Sequence, residues 1–176
     1  MPKFLVVAAV LAGSAAALPA GLRTEVPASV AAATVVENAA IRHPADYLTL
    51  GSRLFREGHK DEGVFWFYVG QLRYRALIAA RPTLSPIGAP ATFASMVERL
   101  GPVIDNYAFG DTTALAKTVA EVLAWDDANP DPFTPKDRFA ADRDIVRRGF
   151  ESFRDRLIET RDEIRTKRAR IGLLNR

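Results

Sequence analysis

The chain contains no cysteine, and that single shortage removes a disulfide framework, a thiolate metal site, a cysteine nucleophile and a lipid-modified cysteine after any leader. Histidine is nearly as scarce, with only His43 and His59. One precedes a proline at a predicted helix start and the other sits in a predicted turn, so both read as capping or surface residues rather than bases or ligands. There is no G-x-S-x-G elbow, no H-E-x-x-H, no phosphate-binding glycine loop and no dinucleotide fingerprint. The sequence therefore nominates no catalytic residue, no metal site and no cofactor.

An excess of one charge is also missing. The net charge is +3 over 176 residues, and removal of Lys3 with a leader leaves +2. Nucleic-acid binding needs clustered positive charge, so the balance argues against it. The basic tail from Arg161 to Arg176, net +4, reads as a solvated helix end whose cations suit the helix dipole.

What is present begins with an address. Lys3, the apolar run from Phe4 to Leu11 and the small residues Ala15-Ala16-Ala17 have the order of a secretory signal peptide. Residues 1–20 are assigned to that leader, residues 21–42 to an alanine-rich strip of weak helix propensity, and residues 43–176 to a single helical domain. The expected location is the bacterial periplasm or the medium. With 48% hydrophobic residues, packing alone can stabilise a domain of this length.

The stretch KDEGVFWFYVGQLRYRALIAA, Lys60 to Ala80, is apolar on nearly every side. A helix of that kind must be enclosed by neighbours or by lipid. Arg73 and Arg75 in mid-span would cost about 5–7 kcal/mol in a bilayer, so the stretch is predicted to be the buried axis of an all-α bundle of four to five helices. His43-Pro44 opens the preceding helix, to about Glu57, and Gly58 ends it. A short turn then makes the two an antiparallel hairpin.

Tyr47, Leu50-Gly51, Leu54, Gly63 and Phe67 fall at the spacing W-x2-L-G-x2-Y, A-x3-F. From Tyr47 to Gly70 the chain resembles one tetratricopeptide or Sel1-type helix pair. Tyrosine stands where tryptophan is usual, Leu54 for tyrosine and Gly63 for alanine, and no second copy follows. The resemblance implies a hairpin with a concave side suited to protein binding.

Beyond a proline-rich joint, Arg81 to Pro90, a third helix is predicted over about Ala91 to Tyr107, kinked or divided at Gly101-Pro102. Asp111 caps a fourth through Trp125. The second joint, DDANPDPFTP, places Asp127, Asn129 and Asp131 like the start of a calcium loop, but proline occupies the glycine position and Arg138 the glutamate position, which rejects that reading. Thr134 is expected to cap one long final helix to about Arg170. Phe139, Val146, Phe150, Phe153, Leu157, Ile164 and Ile171 would form its heptad seam, a surface on which a homodimer could form, and its end would protrude or fray.

Tyr68, Gln71 and Arg75 share one face of the central helix and interrupt its apolar surface, which makes them the candidate partner-binding residues. Buried polar groups require partners. Either Arg75 pairs internally with Glu98 or Asp105, or the face is the floor of a groove that receives an acidic or carboxylate-bearing segment. The leading expectation is an exported, non-catalytic protein that binds a protein or peptide, an inhibitor or immunity factor being one form. The alternative is a cell-envelope hydrolase using carboxylates such as the adjacent Asp126 and Asp127.

Overall fold

The computed structural model describes residues 42–176; the expected leader, residues 1–20, and almost all of the strip expected after it lie outside the described residues. Those residues are all-α, with six helices and no strand among them. Helix α1 runs over Pro44–Arg56, α2 over Lys60–Ala79, α3 over Ala89–Ala108, α4 over Thr112–Ala128, α5 over Lys136–Glu159 and α6 over Arg161–Arg170. None of them is long and apolar enough to cross a membrane.

Helix α2 is the axis, packed against α1, α3, α4 and α5. From Gly63 to Leu77 every residue but Phe65 and Arg75 is buried, so enclosure by protein accounts for a sequence that lacks a polar face. Its closest neighbour is α1. A Cβ on Gly51 would lie 2.5 Å from the Phe67 nitrogen and 2.7 Å from the Gly63 carbonyl oxygen, and one on Gly63 would lie 2.8 Å from the Gly51 carbonyl oxygen. Gly70 is equally tight against Leu48. Two of these glycines are those of the tetratricopeptide-like spacing, and they let the two backbones touch. At the turn, Gly58 takes a left-handed φ of 97°, a conformation that other residues adopt at a cost.

Local chemistry explains the starts of the elements. His43 is the N-cap of α1, its Nδ1 accepting from the Ala45 amide, while its ring meets Tyr74 and Phe133 edge-on. Asp111 caps α4 through the amides of Thr113 and Ala114.

Five expectations are corrected. Helix α3 is not divided at Gly101-Pro102 but runs through them as one element; Pro102 is exposed, so it lies on the side of the helix where a freed backbone carbonyl can reach water. Thr134 does not cap α5, which starts after Pro135 with no side-chain cap; its hydroxyl is buried and donates to Asp131. The final helix is not continuous to Arg170 but breaks at Thr160 into α5 and α6. Val146, Phe150 and Leu157 of the heptad seam are buried in the core of this same chain, so those positions are not offered to a second copy. The end does not fray either. Arg168 donates to the carbonyls of Asn106 and Leu174, the Arg176 amide donates to Gly110, and the Arg176 guanidinium lies 3.5 Å from the Tyr107 ring centre.

Candidate functional site

The face of α2 turned toward α4 and α5 carries a charge network. Arg73 is 0% exposed. Its Nε donates to Asp126 Oδ1 at 2.9 Å, one terminal nitrogen to the Tyr47 hydroxyl at 3.0 Å and the other to the Asn129 carbonyl at 2.8 Å. The guanidinium also lies 4.5 Å from the Trp125 ring centre, within a box where Tyr47, Trp66 and Trp125 pack on one another. The other Asp126 oxygen accepts from Arg143, which also reaches Asp131 and Thr134. Asp131 accepts in addition from the Phe133 amide and the Thr134 hydroxyl. Two cations face two anions, each bonded on several sides, which is the condition for burying charge at all.

A cleft of about 250 Å3 opens over this network, lined among others by Ala76, Lys136 and Arg147. Its cations are occupied: Lys136 holds Asp127, and Arg147 holds Asp127 and Glu151. Asp126 and Asp127 are thus each engaged by two basic side chains. A second cleft of about 250 Å3, where the C-terminal residues meet the start of α4, is lined by Arg161, Arg165 and Arg176 together with Asp111 and Asp162. Asp162 accepts from Arg161, and Asp111 already caps α4.

The sequence-predicted stripe lies on a different side of α2, between α3 and α5. Tyr68 and Gln71 are covered, at 5% and 6% exposure, and Arg75 is half-buried. The Tyr68 ring stacks on Phe153 of α5, and its hydroxyl donates to Asp105 Oδ1 of α3 at 3.1 Å. Neither internal pair expected for Arg75 forms as an ion pair. Glu98 is exposed, and Asp105 is bonded by Tyr68. Arg75 instead donates to the carbonyl of Gln71, one turn back, at 3.1 Å. Its guanidinium lies between two rings, 4.9 Å from Phe93 of α3 and 5.8 Å from Phe150 of α5, which favours a cation through the ring quadrupoles.

These three groups perturb one another. Burial pushes the Asp105 carboxyl up to about 6, against the opposing pull of the Tyr68 hydroxyl and the Arg75 charge. Burial, reinforced by the Asp105 charge, drives the Tyr68 phenol well above its ordinary value. Burial also lowers Arg75 from its ordinary value, with Tyr68 and Asp105 acting to raise it; an arginine nonetheless stays protonated at any physiological pH. The stripe was legible from spacing. Its partner Asp105 was named, but as Arg75's, because sequence does not show which of two donors two turns apart on one helix face a distant carboxylate will meet. The Arg73 network was missed as a network: its members are separated by 53 and 17 positions, and Arg73, Asp126, Asp131 and Thr134 were each noticed for other reasons.

Among the described residues no group of three or more His, Cys, Asp or Glu is placed to hold a metal ion. Compared with protein-family models, with curated proteins and with solved structures, the chain matches none.

Proposed function

We propose that the protein is an exported, non-catalytic binding protein that holds a segment of a protein partner along the α2 face between α3 and α5, with Tyr68, Gln71 and Arg75 beneath it. The observation that carries this reading is the state of Arg75. A guanidinium has five donors in a fixed fork, and here one goes to the Gln71 carbonyl while, among the described residues, no carboxylate forms an ion pair with it and Asp105 acts on it only from further off. Two flanking rings preset the fork in one place. The walls suit a peptide with apolar side chains, since Phe93, Met96 and Leu100 of α3 are only partly buried. The tetratricopeptide-like pairing of α1 and α2 accords with this use, and the leader supports export.

The test is capture from a periplasmic extract by the mature protein and by Arg75→Gln. One stoichiometric partner, retained by wild type and lost by a variant of unchanged melting temperature, supports the reading. Equal capture by both overturns the assigned face. Export is checked separately by mass spectrometry of envelope protein, whose chain should start between Leu18 and Gly21.

A further inference from the structure

The cleft between the C-terminal residues and the start of α4 gathers more positive charge than its own walls neutralise. Arg161, Arg165 and Arg176 line it. Arg161 meets Asp162, its exposed neighbour in the chain, at 3.3 Å, and Arg176 meets Asp61, which does not line the cleft, at 3.8 Å. Arg165 is exposed, and its side chain pairs with no carboxylate among the described residues. The break at Thr160 makes this placement unfavourable for the helix itself. In one continuous helix the basic tail would lie toward the C-terminal end, where the dipole favours cations; instead Arg161 opens α6, where the dipole opposes a cation, and Arg165, four positions on, adds a like charge on the same face.

Helix α4 presents its N-terminus to the same cleft through Thr112 and Thr113. Asp111 takes the amides of Thr113 and Ala114 and is thereby engaged, as Asp162 is by Arg161. Thr112 is an independent sign of an occupant. It is 5% exposed, and its hydroxyl is bonded to no group among the described residues and yet is not sealed from solvent. A covered hydroxyl without a protein partner takes one from outside, and the opening beside this one is the cleft.

We infer that the cleft is a seat for a phosphate group, carried by a small soluble ester or by a lipid headgroup, with Arg161, Arg165 and Arg176 on one side of it and the Thr112 hydroxyl on the other. This site is separate from the α2 face and does not depend on it. Guanidinium forks suit phosphate oxygens, and a helix N-terminus favours the same charge. The cleft, about 250 Å3, is smaller than the roughly 300–1,000 Å3 typical of sites for drug-sized ligands, so it admits the phosphate and little else of its bearer.

The probe is inorganic phosphate, titrated into the protein at constant ionic strength while the Thr112 and Thr113 amide resonances are followed by NMR. Saturable binding is expected, weakened about tenfold in Arg165→Gln and about threefold in Thr112→Val. It should be unchanged in Arg170→Gln, which removes the same charge from an exposed position of α6 outside the cleft. Absence of saturable binding, or an equal loss in Arg165→Gln and Arg170→Gln, overturns the inference, the latter because net charge alone would then account for it. Sedimentation of wild type but not of Arg165→Gln with vesicles of phosphatidylglycerol in phosphatidylcholine assigns the phosphate to a lipid headgroup; saturable phosphate binding without Arg165-dependent sedimentation assigns it to a soluble ester.

Discussion

Arg73 and Arg75 are two positions apart on one helix and live in opposite circumstances. Arg73 has no exposed surface and spends its fork on a carboxylate, a phenol and a carbonyl. Arg75 is half-buried, flanked by two rings and bonded only to the carbonyl one turn before it. Two positions turn the helix by about 200°, so one arginine points to the α4 and α5 joint and the other to the gap between α3 and α5. The pair shows that an arginine in a core is uninformative until its counter-charge is located. A filled fork is architecture, and an unfilled one is capacity.

The contrast is broken most severely at Arg73. Arg73→Gln leaves Asp126 facing Arg143 with one partner fewer and should cost about 3–5 kcal/mol, read as a lowered midpoint in urea. Trp66→Ala opens the aromatic box beside the same network and should cost a similar amount, about 3–5 kcal/mol, read as a fall in melting temperature; a change of a degree or two would mean the box is not enclosed.

The fold was readable because its signals are local: the all-round apolar run, His43-Pro44, Asp111, and the glycines whose spacing brings α1 against α2. The break at Thr160 was not, since charged residues on both sides of it are good helix formers and only the docking of α6 onto Asn106 through Arg168 bends the chain there. Thr134 shows the limit most directly. Its place before Pro135-Lys136-Asp137 reads as a cap, yet the long-range demand of Arg143 and Asp131 for a buried hydroxyl wins.

Asp105 sharpens the comparison from the Arg75 side. Its carboxyl titrates near 6 in the folded chain and near 3.9 unfolded, so the folded state binds the extra proton between those values. Its contribution is thus unfavourable when ionised: stability is lost as pH rises from about 4 to about 6, on the order of 3 kcal/mol in total. The difference in stability between wild type and Asp105→Asn, measured by denaturant at several pH values, should show that slope and flatten above about pH 7.

The smallest effect belongs to Arg75 itself. Arg75→Gln forfeits one hydrogen bond and two ring contacts, about 1 kcal/mol or less, while removing partner capture. A loss as large as that of Arg73→Gln would show that the two arginines are alike and that the proposed face is structural.

The glycine seam between α1 and α2 bears on the order in which the molecule assembles. Its contacts join residues close in sequence, so the hairpin can close quickly, ahead of the longer-range docking of α3 to α6. The bond from Arg73 to Asp126, 53 positions away, then forms only when α4 docks, with Arg143 of α5 completing the bonding of the same carboxylate. Mutations in the seam, such as Gly51→Ala, should accordingly slow folding, whereas Asp126→Asn should mainly hasten unfolding, a split that stopped-flow measurement of both rates would resolve.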